Sequence, residues 1–238
     1  MEAVLYIIEI LGVISFSAAG AMIAIDKETD MLGVLILSAV TCFGGGLTRD
    51  IILSDTLPAL FSMHVELIIC ISTSFIIFLA AALFKKEYVL EEETVNKINN
   101  VLDALGIGVF AAAGTAMFMD KGALVAVFAG TVTAVGGGLL RDIILRDVPF
   151  ILCKRVYCVA VILGSSLYYV FEAYVFTGAE GSVISTLICL FVVFVIRMCA
   201  TRYKWNIPKA IIFSKIFSED VEVRDSREYS DSGDMSKR

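Results

Sequence analysis

Apolar residues come in seven long runs separated by short polar segments. The first covers about residues 3–25, the second begins near 31, and the third covers about 65–84. A charged linker, KKEYVLEEETVNK, follows. The fourth covers about 101–119, the fifth begins near 122, the sixth covers about 151–176 and the seventh about 182–200. Runs near 20 residues match a helix crossing a hydrocarbon core of about 30 Å. The pattern predicts an all-α integral membrane protein with seven transmembrane helices in a domain spanning 1–204. Residues 205–238 are polar without a sustained apolar period, which predicts a tail, largely disordered at its end.

The runs repeat. Residues 44–53 read GGGLTRDIIL and residues 136–145 read GGGLLRDIIL, identical at nine of ten positions and 92 residues apart. Ala18-Ala19-Gly20 matches Ala112-Ala113-Gly114 at an offset of 94, as does Asp26-Lys27 with Asp120-Lys121, and Glu9 then falls on Asp103. Spans one to three (about 3–84) therefore correspond to spans four to six (about 97–176), and the seventh (about 180–201) stands alone. Three crossings reverse the chain's direction, so the two repeats are expected to be inverted, with a pseudo-two-fold axis in the membrane plane.

Composition supports a membrane protein. Of 238 residues, 58% are hydrophobic and 18% charged, against about 25% charged in a soluble domain. Basic residues set the expected orientation. The C-terminal face would hold Lys27, Lys85, Lys86, Lys97, Arg146, Lys154, Arg155, Arg202, Lys204 and Lys209, and the opposite face mainly Arg49 and Lys121. That places the C-terminus in the cytoplasm and the N-terminus outside. The first run lacks a basic leader and a cleavage site, and reads as a membrane helix.

Three features carry candidate chemistry. Each glycine of Gly44, Gly45, Gly46 and Gly136, Gly137, Gly138 costs about 1 kcal/mol relative to Ala inside a helix. Triplets at matched positions are expected to break or bend the helices and line a path; the alternative is close packing alone. The neighbours Arg49-Asp50 and Arg141-Asp142 do not share a helix face, so each Arg is expected to pair elsewhere, for example with a carboxylate of the opposite repeat. They would clamp the halves or ring a pore. Glu9 and Asp103 are carboxylates inside apolar runs, which marks them as site candidates or partners for Arg49 or Arg141. Ser38, Thr41, Thr131 and Thr133 are the hydroxyls available for a lining. Glu66 and Glu172 are read as reaching the membrane interface.

Other chemistry is not indicated. No Lys-Ser/Thr follows the glycines as a phosphate loop requires, and no βαβ unit surrounds them. One histidine, His64, gives no triad and no ligand cluster. The six cysteines lack a CxxC pair and read as small buried residues. No basic stripe suggests nucleic acid. No enzyme, cofactor or metal is expected.

The duplicated GGGLxRDIIL motif in two three-span repeats, with a seventh span, resembles the prokaryotic members of the trimeric intracellular cation (TRIC) channel family. The same bacterial group is also known as putative glycine transporters. The resemblance covers about residues 3–200. It implies homotrimers with an ion path in each protomer, flanked by spans two and five bent at their glycine motifs. It implies passive conduction of K+ and Na+, a prokaryotic plasma membrane, and room for a phospholipid at the trimer interface. Animal members carry a lysine-containing variant of the motif and bind a phosphoinositide; arginine stands here, which argues against that regulation. The rival expectation is a secondary transporter of a small amino acid such as glycine. A membrane scaffold or sensor is a third, and would leave the buried charges without purpose.

Overall fold

The computed structural model describes residues 2–84, 92–153, 157–176 and 179–203. Residues 206–238 form a second unit and lie outside the described residues, as do Lys85, Lys86, Lys154, Arg155, Lys204 and Lys209. Seven long helices are present: α1 (Glu2–Asp26), α2 (Met31–Leu53), α3 (His64–Leu83), α4 (Glu92–Ala116), α5 (Ala123–Ile144), α6 (Tyr157–Tyr174) and α7 (Ala179–Arg202). All seven are long and apolar enough to cross a membrane, and no strand occurs among the described residues.

Local signals explain the boundaries. Asp30 caps α2 by accepting from the Gly33 N–H at 2.7 Å, satisfying one of the free donors of the first turn. Gly122 takes a φ of 89° immediately before α5, a conformation that glycine adopts without strain. Proline follows each motif helix. Pro58 leads into a 3-10 turn, Ala59–Ser62, and Pro149 into a single helical turn, Phe150–Cys153. α4 begins earlier than the apolar pattern suggests. Part of the charged linker is helical, and Lys97 pairs with Glu93 at 2.8 Å one turn away.

α1, α2, α4 and α5 form the centre, and α3 and α6 flank it. α7 packs on α4 and α6 and barely touches α1. Large apolar side chains face outward, among them Leu124 at 86%, Phe191 at 65% and Ile68 at 64% exposed. Such a surface fits lipid and not water.

The centre is two-fold in its contacts. A methyl carbon at Gly45 would overlap the Thr133 carbonyl, and one at Gly137 would overlap the Thr41 carbonyl. Gly45 corresponds to Gly137, and Thr41 to Thr133, at the repeat offset of 92. Moving four residues forward along α5, from Thr133 to Gly137, moves four residues back along α2, from Gly45 to Thr41. The helices cross antiparallel, as inversion requires. Gly136 lies against the Gly45 Cα. Each threonine also sits in a glycine notch of its own repeat, Thr41 against Gly20 of α1 and Thr133 against Gly114 of α4. Phe16 stacks on its repeat counterpart Phe110, with ring centroids 5.1 Å apart. Lipid gives helices no hydrophobic reason to associate, so backbone approach at small residues provides the packing energy.

This corrects the expected helix breaks. α2 and α5 run uninterrupted through both triplets. The propensity cost of glycine is offset by contacts that only a residue without a side chain permits.

The two outer glycines are unlike the inner pair. A methyl at Gly46 meets only the Arg49 guanidinium at 3.8 Å, and one at Gly138 the Tyr157 hydroxyl at 3.5 Å. We predict that Gly45→Ala and Gly137→Ala each destabilise the fold by about 1–3 kcal/mol or more, as overpacking does. Gly46→Ala and Gly138→Ala should melt no lower than the parent, and up to about 1 kcal/mol more stably, since Ala is the better helix former and has room there. Thermal melts in detergent followed by fluorescence size-exclusion check the contrast; equal melting of all four would refute the crossing.

Candidate functional site

Charge is buried at both ends of the central four helices. Near the end of α2, Arg49 and Asp50 are 4% and 3% exposed. The Arg49 Nε donates to Asp50 Oδ1 at 2.7 Å, and Nη2 lies 2.6 Å from the same oxygen. Near the end of α5, Arg141 donates from Nε and Nη2 to Asp142 Oδ1 at 2.9 and 2.8 Å. The sequence neighbours therefore pair with each other, contrary to the expectation that each Arg pairs elsewhere. The long arginine side chain curls back to its neighbour. The Ala59 N–H, at the 3-10 turn after α2, donates to Asp50 Oδ2 at 2.8 Å and anchors that carboxylate.

Arg49 also reaches across to the other repeat. Arg49 Nη1 donates to Thr133 Oγ1 at 3.2 Å, and its guanidinium lies 5.9 Å from the centre of the Phe118 ring. Arg49 is thus tied to the crossing through the threonine whose carbonyl abuts Gly45.

Glu9 and Asp103 match in sequence but not in environment. Asp103 pairs with neither motif arginine. It accepts from Arg197 Nη2 of α7 at 3.0 Å and from the Tyr157 hydroxyl at 3.2 Å. The Arg197 guanidinium also lies 4.3 Å over the Tyr157 ring, a cation–π geometry. Glu9 is half-buried and feels Glu66 and Arg49 electrostatically. Glu66, read as an interfacial residue, is buried at 8% exposure.

The hydroxyls divide. Ser38 is fully buried, and its Oγ has no hydrogen-bond partner. Thr41 and Thr133 are buried at the crossing and donate to Leu37 O and Ala129 O on their own helices, both at 2.6 Å. Thr131 is half-buried and donates to Val127 O of its own helix at 2.7 Å; no described bond joins it to the others.

Arg197 and Tyr157 were not legible as site residues from repeat matching, because α7 has no counterpart. A cation inside an apolar run was the available signal for Arg197. Tyr157 carried none.

Outside the membrane helices, Lys27 after α1 pairs with Asp147 after α5 at 2.7 Å. The bond holds the Lys27 ammonium above the ordinary lysine range. Its contribution is full below that range and is lost only as pH rises through the raised value.

An inverted repeat of membrane helices, with charge buried at both ends of its core, defines the class of helical channels and secondary transporters. The chain belongs to the family described as "Glycine transporter", which matches residues 6–82 and 100–173. It is 30% identical over 204 residues to the UPF0126 membrane protein YvgT of Bacillus subtilis, covering 85% of this chain and 94% of that one. It is 31% identical over 209 residues to the UPF0126 inner membrane protein YadS of Escherichia coli K12, again covering 85% and 94%. A structure solved to explain conductance through TRIC cation channels superposes with a TM-score of 0.72 at 28% identity, covering 87% of this chain and 97% of that one. The TRIC orthologue from Rhodobacter sphaeroides gives 0.72 at 26% identity, covering 85% and 99%. A prokaryotic TRIC channel crystallised in 0.5 M KCl gives 0.74 at 23% identity, covering 87% and 100%. The sequence resemblance to prokaryotic TRIC channels therefore holds in the fold.

Removing one member of a buried ion pair strands the other. We predict that Asp50→Asn lowers stability by about 3–5 kcal/mol, because it leaves Arg49 without its carboxylate and weakens the anchor to Ala59. Chemical denaturation in detergent measures this. A loss below about 1 kcal/mol, the level of an exposed pair, would show that the pair is solvated and not buried.

Proposed function

We propose that the protein is a passive cation channel, permeable to K+ and Na+, with a path through each protomer of a homotrimer. The observation that carries the reading is the arrangement within the central four helices. Charged clusters stand at both ends, and between them lie the buried hydroxyls of Thr41 and Thr133 at the glycine crossing and of Ser38, against Gly20 of α1. Likeness to structures of TRIC cation channels supports it.

The physical requirement is replacement of hydration. Moving a bare ion into a medium of dielectric near 4 costs on the order of 20 kcal/mol in the idealised limit. Oxygen atoms and paired charges along the route lower that cost. The Thr41 hydroxyl, which donates to its own helix carbonyl, keeps lone pairs free for a cation; Thr133 already accepts from Arg49, and the unpartnered Ser38 Oγ adds one more acceptor. On this reading α2 and α5 flank the path. Gly46 and Gly138 keep space beside the Arg49 and Arg141 guanidiniums, while the inner glycines hold the crossing shut against lipid. On this reading the excess of basic residues in the loops on the C-terminal side favours a cytoplasmic C-terminus.

The second reading is a small-amino-acid transporter, favoured by the family's description. Carriers of this kind hold a substrate carboxylate at helix ends exposed by a break near mid-membrane. The uninterrupted α2 and α5 offer no such ends, which weighs for the channel.

Purified protein in planar bilayers should give unitary currents in symmetric KCl without added substrate. Under a KCl gradient, the reversal potential should move toward that of K+. Silent bilayers, together with glycine accumulation in liposomes under a pH gradient, would replace the channel with the transporter. Light scattering of the detergent-solubilised protein should give three times the 25.8 kDa chain mass; a monomer would remove the trimer from the proposal.

A further inference from the structure

The two repeats are alike in packing and unlike in charge, and the difference comes from α7 together with Glu66, whose place in the second repeat holds no carboxylate. That helix sits on α4 and α6 of the second repeat. It delivers Arg197, 3% exposed, to Asp103. Both oxygens of Asp103 are engaged, one by Arg197 and the other by Tyr157. With Arg141 on Asp142, this end holds two buried cations and two buried carboxylates.

The first repeat has no equivalent of α7. Its counterpart of Asp103, the half-buried Glu9, lies within the electrostatic reach of another carboxylate, the buried Glu66. The guanidinium that acts on it, Arg49, is already bonded to Asp50. The cluster of Glu9, Glu66, Arg49 and Asp50 holds one cation and three carboxylates, an excess of two negative charges. Low-dielectric walls focus the field of such a cluster into the adjoining mouth of the path, where it concentrates counter-ions and where salt screens it.

We infer that α7 makes the ends of the path electrostatically unequal, so that cation current rectifies and enters more easily from the end bearing Glu9 and Glu66. This rests on the channel reading. Cations accumulate at the acidic end, so the supply of ions is greater when the voltage drives them from there. Arg197 cancels at the other end the charge that Asp103 would otherwise present. The seventh helix, outside the repeat, thereby gives a two-fold scaffold a direction.

The experiment is single-channel recording at equal and opposite voltages in symmetric KCl. At low salt the parent should show a current ratio of about two or more, given that such fields raise local counter-ion concentration roughly ten-fold or more. The ratio should fall toward unity at high salt. Glu9→Gln with Glu66→Gln should abolish it while leaving the Arg197–Asp103 pair untouched. Arg197→Gln should also bring the ratio toward unity, by uncovering Asp103. Arg197→Gln with Asp103→Asn, neutral again at that end, should restore the ratio. This double variant strands no charge and stays informative if the single one misfolds. A symmetric parent current at low salt overturns the inference and leaves the channel intact. So does rectification that survives the Glu9 and Glu66 double change. Absence of any unitary current overturns the channel reading and this inference with it.

Discussion

The antiparallel contact of α2 with α5 is the constraint on which the rest depends. Gly45 faces the Thr133 carbonyl and Gly137 faces the Thr41 carbonyl, with no room for a carbon at either glycine. In lipid, apolar surface alone does not distinguish helix–helix from helix–lipid contact. Close approach does. It brings many backbone atoms within dispersion range at once. It also sets the positions of Arg49 and Arg141, which sit four residues beyond Gly45 and Gly137. Shift the crossing and both buried charges shift with it. Thr133 joins the two functions of the region, since its backbone meets Gly45 while its hydroxyl receives Arg49.

Much of the fold was legible in the chain. Long apolar runs marked the seven spans, because only helices satisfy their own backbone in lipid. The duplicated motif marked the inversion through simple parity. Boundaries were less legible where polar residues continued a helix, as at the start of α4, where Glu93 and Lys97 support a turn that hydropathy does not see. The triplets were expected to break or bend the helices, and the absence of a break has a physical reason. Propensity counts what glycine loses in isolation and is blind to what a neighbouring carbonyl gains across an interface. The arginine partners were misread similarly. Rules for short side chains on a helix face do not bound a long guanidinium with room to turn back.

The charged site was legible as residues but not as pairs. Glu9 and Asp103 correspond in sequence and are opposite in circumstance. Asp103 meets a cation from a helix that the repeat does not contain. Repeat matching finds what two halves share, and the partner of Asp103 is something they do not. Glu66 shows the same limit: a carboxylate near a helix start looked interfacial, and tertiary packing buried it.

The stacking of Phe16 on Phe110 has a consequence for how such a molecule arises. Each ring meets the ring that occupies its own place in the other half. The glycine crossing is reciprocal in the same sense, Gly45 meeting Thr133 as Gly137 meets Thr41. An interface of this kind is isologous, the sort that identical subunits form about a dyad. Two copies of a half-length chain, inserted in opposite directions, would make the same contact. Fusion of two such copies needs one connecting segment and leaves the interface as it was. The fused halves are then free to diverge, and charge at the two membrane faces is where this chain has done so.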